Sequence, residues 1–202
     1  MKQKGIPPKK QSSNTREFYE GSIRALSGEG NERKFEISFS SEDPYERWNY
    51  TEILDHTGDS IDLTRLNDIG CVLFNHNRDI VIGKIVKAWV KNNRGLAEIE
   101  FDTDEESEKI YQKVKNGVIK GVSVGYRVRL WEEVGANRNS TDGRFKGPCM
   151  VAKKWFPYEI SIVSIPADAT VGVGRDLESE ITISSKSLNL YQKQIQINKN
   201  YY

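Results

Sequence analysis

The chain has 202 residues, 37% hydrophobic and 29% charged, enough for one domain with a full core and attached tails. Thirty lysines and arginines against 29 acids leave a formal charge of +1, so no global field draws the protein to nucleic acid or to a membrane. Cys71 and Cys149 lack metal or redox spacing, and no apolar run reaches the length of a membrane helix, which argues against a zinc module, a thiol redox centre and a spanning protein.

Taken in chain order, residues 1–20 are polar, with Pro7-Pro8 and no apolar stretch after the basic start. They read as a flexible arm rather than a secretory signal, and a cytoplasmic protein is expected. Residues 21–173 carry the expected domain. Ser22 to Leu26, Lys34 to Phe39 and Trp48 to Leu54 have the short alternation of half-buried strands. Val72 to Phe74 is a compact apolar burst. Ile80 to Val90 is rich in β-branched residues, Asn92-Asn93-Arg94-Gly95 supplies turn chemistry, and Leu96 to Phe101 reads as the hairpin partner. Thr103-Asp104-Glu105-Glu106 has the form of a capping box, and Ile110, Tyr111 and Val114 form an apolar stripe. The pattern predicts a helix from Asp104 to Asn116, stopped by Gly117. Val118 to Trp131 and Trp155 to Ile165 are two long strand candidates, and residues 174–202 form a polar C-terminal tail. Many short strands with one clear helix predict a mainly β protein with few helices, built on a closed or nearly closed antiparallel barrel.

Three segments carry residue types that suit hydrolytic chemistry. Gly121-Val122-Ser123-Val124-Gly125 matches the G-x-S-x-G nucleophile elbow. In hydrolases with that elbow the triad runs serine, acid, histidine. Both histidines of this chain, His56 and His76, precede Ser123, so such a triad cannot be completed. Period two puts Val122, Val124, Tyr126, Val128 and Leu130 on one face, and Ser123, Arg127 and Arg129 on the other, away from the core. His76 lies where Leu73-Phe74 gives way to turn-forming Asn75 and Asn77. Glu159 begins the strand Glu159-Ile160-Ser161-Ile162-Val163 and shares a face with Ser161. A serine hydroxyl needs a base to become a nucleophile, and a carboxylate can orient that base. Read locally, each residue has a plainer alternative: a small residue in a glycine-spaced strand, a capping histidine and a solvated strand-end glutamate.

Taken together these segments resemble the prohead (procapsid maturation) protease family of tailed bacteriophages. The matching residues are Glu52-Ile53-Leu54, Leu73-Phe74-Asn75-His76 with Ile82-Gly83-Lys84, Gly117 with Gly121 to Tyr126, and Glu159 to Ala167, spanning about residues 20–173. The resemblance implies a serine endopeptidase inside the immature capsid in the host cytoplasm, with a fold similar to herpesvirus assemblin. Its implied substrates are scaffolding protein, the scaffold-like segment of the major capsid protein, and the protease itself. Ser123 would be the nucleophile, His76 the base and Glu159 the orienting acid. In assemblin a second histidine after the serine fills that last place, and this chain has none there. Arg127 and Arg129 are candidates for positioning substrate or the oxyanion. No metal, cofactor, nucleic acid or membrane is implied, and a homodimer is suggested by the assemblin likeness. A scaffold or assembly protein that kept the barrel and lost catalysis is the alternative. His56 is expected in a surface loop.

Overall fold

The computed structural model describes residues 13–18 and 23–165. The expected tail, residues 174–202, lies outside the described residues. The elements run β1 (Ser13–Phe18), β2 (Ile23–Ala25), β3 (Lys34–Ser41), β4 (Tyr45–Glu46), β5 (Thr51–Leu54), α1 (Thr64–Ile69), β6 (Cys71–Phe74), β7 (Asn77–Lys91), β8 (Arg94–Phe101), α2 (Glu105–Lys115), β9 (Gly121–Val134) and β10 (Cys149–Val163). The protein is mainly β with two helices among the described residues. Neither helix is long and apolar enough to cross a membrane.

All ten strands belong to one sheet, whose main path runs β1-β9-β10-β6-β7-β8-β3-β2. The strands at the two ends of this path, β1 and β2, do not pair with each other. The expected antiparallel arrangement needs a correction at β10, which pairs in parallel with both β5 and β6. The sheet is therefore mixed. The alternation of single strands cannot reveal this, because parallel and antiparallel neighbours present the same period of two.

Two further differences bear on function. Within the expected arm, Ser13–Phe18 forms β1 and pairs antiparallel along β9, from Ser13 opposite Arg127 to Phe18 opposite Val122. Five polar residues followed by Phe18, without a clean alternation, give no strand signal, and their pairing depends on an edge presented by a distant segment. The second helix starts one residue later than the capping-box reading. Asp104, not Thr103, is the cap, accepting from the backbone N–H groups of Glu106 and Ser107, both at 3.0 Å.

The apolar face expected for β9 is buried from Val122 to Val128, while Leu130 is exposed. These side chains join Phe35, Ile99, Phe101, Ile160, Ile162 and the α2 stripe of Ile110, Tyr111 and Val114 in one core. Phe35, Phe101 and Tyr111 meet edge to face or tilted, with ring centroids 5.5 to 6.2 Å apart. Each buried aliphatic or aromatic side chain stabilises the fold by about 1.5–3 kcal/mol. This core holds β9 and β10 rigid beneath the residues considered next.

Candidate functional site

The chain reverses between β6 and β7 in two residues, Asn75 and His76, with Phe74 opposite Asn77. Both adopt positive φ, 52° and 59°, the signature of a type I′ hairpin turn. The conformation is uncommon for any non-glycine residue, and asparagine and histidine are among those that adopt it most readily. Such backbone strain is tolerated where the surroundings fix it. The Asn75 N–H donates to the Ile162 carbonyl at 3.0 Å, and Asn75 Oδ1 accepts from the Ser164 N–H at 2.9 Å. The His76 N–H donates to Ser161 Oγ at 3.2 Å. The turn is thereby fastened to the end of β10.

Pinned in this way, the imidazole meets β10. His76 Nδ1 lies 2.7 Å from Glu159 Oε1. The second carboxylate oxygen accepts from Ser161 Oγ at 2.8 Å, and that hydroxyl is also 3.3 Å from His76 Nδ1. A carboxylate on Nδ1 fixes the ring's tautomer and orientation and would stabilise the imidazolium.

Ser123 lies one strand over. It is directly opposite Ser161 in the β9–β10 ladder, as Gly125 is opposite Glu159, so these residues share one face of the sheet. The face is the one expected from alternation, but it is not open. Ser123 is fully buried, and its hydroxyl donates to the backbone carbonyl of Arg16 in β1 at 3.1 Å. The structure thus joins His76 to Glu159 directly and brings Ser123 to the same face, with its hydroxyl turned to β1.

The two glycines of the pentapeptide also find their reason. Ser123 sits within an extended strand, not on a strand-to-helix elbow. A Cβ on Gly125 would overlap Glu159 Oε1 and stand 2.8 Å from Cζ of Tyr158, so only glycine leaves room for the carboxylate. A Cβ on Gly121 would lie 2.7 Å from the Val163 carbonyl oxygen, so glycine there lets β9 approach the end of β10.

The arginines of β9 stand elsewhere. At about 3.3 Å per residue, Arg127 and Arg129 are about 13 and 20 Å along the strand from Ser123, too far for an oxyanion contact. Arg127 lies over the Tyr158 ring at 5.8 Å, and Arg129 lies over Phe156 at 4.6 Å and pairs with Asp62 at 3.5 Å.

His56 is not in a surface loop. It is buried, its Nε2 is 2.7 Å from Ser40 Oγ, its Nδ1 is 2.8 Å from the Leu54 carbonyl, and its ring packs edge-on against Trp155. The Leu54 carbonyl can only accept, so Nδ1 carries the proton and Nε2 accepts from Ser40. This is a second serine–histidine pair, but its Nδ1 proton goes to a backbone carbonyl rather than to a carboxylate that would stabilise an imidazolium.

Sequence reasoning also missed Ser161 as a contact of the imidazole, although its period-two relation to Glu159 carried the signal. It missed Arg16, which lay in the presumed arm. The cluster around Glu52 gave no local sign either. Fully buried, Glu52 accepts from Arg47 Nη2 at 3.1 Å and from the phenol of Tyr126. Burial and the Glu52 charge push the Tyr126 phenol well above its usual pKa, so it stays a donor.

Comparison with known proteins bears directly on this arrangement. The family described as caudovirus prohead serine protease matches residues 37–186, which contain Ser123, His76 and Glu159. The chain belongs to that family. Among its relatives, the major capsid protein of Halomonas phage phiHAP-1 is 34% identical over 160 residues, covering 76% of this chain and 25% of that protein. The capsid polyprotein of Pseudomonas phage PAJU2 is 29% identical over 104 residues, 48% of this chain and 14% of that protein. This prohead protease family member thus spans a quarter or less of the length of these curated relatives. The solved structure of the bacteriophage T4 capsid assembly protease, gp21, superposes with a TM-score of 0.47 at 12% identity, over 76% of this chain and 98% of that one.

Proposed function

We propose that the protein is a serine endopeptidase of capsid maturation, with Ser123 as nucleophile, His76 as general base and Glu159 as the residue that orients the base. The observation that carries this reading is the 2.7 Å His76–Glu159 contact, on the face that Ser123 occupies, in a member of a serine protease family. Ser123 Oγ adds to the scissile carbonyl carbon as His76 takes its proton. The same proton passes to the departing amine as the peptide C–N bond breaks. Water then hydrolyses the acyl-enzyme by the reverse use of the base. The hydroxyl must first turn from the Arg16 carbonyl toward the imidazole. Ser161 holds the turn and the carboxylate in place and acts as a positioning residue. Arg127 would contact substrate along β9, away from the reacting carbonyl.

Relatives named as a major capsid protein and a capsid polyprotein contain a region similar to this chain. A protease carried on the same polypeptide as a capsid protein supports the capsid protein, or its scaffold-like segment, as substrate, and self-cleavage belongs to the same reading. The fold similar to assemblin and the procapsid interior as the place of action complete it. Co-expression with the major capsid protein of the same phage is the test. Discrete shortening of the capsid protein, its scaffold or the protease is expected. If all three stay at full length while capsids assemble, the chain is an assembly protein instead.

The tight fit at Gly125 makes a separate prediction. Gly125→Ala displaces the Glu159 carboxylate from the imidazole, and cleavage should fall by about 10²-fold, within the usual range for acid–base assistance. Circular dichroism should show the fold retained. Cleavage at the wild-type rate would remove Glu159 from the mechanism.

A further inference from the structure

Pairing between β1 and β9 has a feature that edge protection alone does not require. The backbone carbonyl that accepts from Ser123 Oγ is that of Arg16, so the peptide bond touched by the hydroxyl is the one on the carboxyl side of an arginine. Arg16 pairs with Val124, whose side chain is in the core, so the arginine side chain leaves by the face opposite Ser123. Hydroxyl and side chain therefore approach the same peptide unit from opposite sides without competing for space.

The side chain enters a built pocket. Arg16 is only 3% exposed. Its Nη2 donates to the Asp43 carbonyl oxygen, and its guanidinium lies over the Tyr45 ring, 5.2 Å from the centroid. Burial lowers the pKa of its guanidinium; the charges of Glu52 and Asp43 work against that and favour the protonated form, while that of Arg47 adds to it. A planar cation that stacks on an aromatic ring and donates to a fixed carbonyl is matched by arginine far better than by lysine. Glu52 is already paired with Arg47, so it serves two guanidinium groups at once.

We propose that the β9 edge beside Ser123 is a groove for an extended peptide, that the pocket of Tyr45, Glu52 and the Asp43 carbonyl selects an arginine on the amino side of the bond to be cut, and that β1 is the groove's resident occupant. The assignment of a scissile bond rests on the protease reading above. A substrate strand replaces β1 by the same main-chain hydrogen bonds, which are indifferent to sequence, while the pocket supplies the choice. Ser123 Oγ would then acylate on the arginine carbonyl carbon, the following residue leaves as an amine with the proton from His76, and water releases the arginine carboxylate.

The test separates binding from chemistry. A full-length Ser123→Ala, Arg16→Ala chain is titrated with a labelled peptide of the sequence of residues 11–20, and with the same peptide carrying alanine in place of its arginine. Fluorescence anisotropy should show at least tenfold tighter binding of the arginine peptide. Equal binding of the two, or binding of neither, overturns the proposal. Should the double variant fail to fold, Arg16→Met keeps the aliphatic stem and serves in its place. Cleavage of capsid protein is measured separately with the wild-type chain. A chain that cuts but shows no arginine preference refutes the pocket alone, and one that binds the arginine peptide but cuts nothing refutes the protease reading alone.

Discussion

Ser123→Ala is expected to lower cleavage of the capsid protein by about 10⁴–10⁶-fold, and His76→Ala in the same chain should add almost nothing to that loss. Nucleophile and base act as one unit, since the hydroxyl has no function in acyl transfer without a proton acceptor and the imidazole none without a nucleophile. The single His76→Ala change should therefore approach the serine variant in severity. Both variants should fold. Ser123 loses one hydrogen bond to a strand carbonyl, and His76 leaves a turn that Asn75 fastens independently to Ile162 and Ser164. Alanine is no better suited than histidine to φ 59°, so a small fall in melting temperature is compatible with the scheme. The measurement is a time course of capsid-protein shortening at equal enzyme concentration. If the two losses multiply instead of saturating, the residues act in separate steps and the triad fails.

The second large effect concerns stability. Burial holds the His56 pKa down to about 4, against 6.5 for an unburied imidazole. The nearby charges of Arg16 and Arg144 act in the same direction, while the Leu54 carbonyl and Asp55 oppose them. Between pH 6.5 and 4 the unfolded chain therefore binds a proton that the folded chain refuses. Stability must fall as pH drops through that window, and is fully present above it. A shift of this size corresponds to about 3 kcal/mol at the acid end. His56→Gln removes the titration. The variant should be less stable than wild type at pH 7, because the Ser40 and Leu54 contacts are rebuilt imperfectly. Its urea midpoint should nevertheless decline much less between pH 6.5 and 4. Glu42 and Asp55, which also have shifted pKa values, remain in both proteins and largely cancel in the comparison. Parallel declines in the two proteins would show that His56 is not the group responsible.

Much of this was visible in the residues themselves. The order of His76, Ser123 and Glu159, with both histidines upstream of the serine, ruled out one hydrolase arrangement and left another. Period two placed Ser123 opposite the face of Val122, Val124 and Tyr126, and the apolar spacing of Ile110, Tyr111 and Val114 defined α2. These are properties of a single strand or helix, and local geometry fixes which side chains share a face whatever the neighbours are. Partners are another matter. That β10 lies between β9 and both β5 and β6, that Gly125 faces Glu159, that His56 is sealed beside Ser40, and that a polar N-terminal segment closes over Ser123 with Arg16 in a pocket, all depend on segments far apart in sequence. A strand's own residues do not say which edge it will meet, because backbone hydrogen bonds are the same for every sequence. Only the packed sheet, with its core on one side, decides the register, and with it which hydroxyl, imidazole and carboxylate come together.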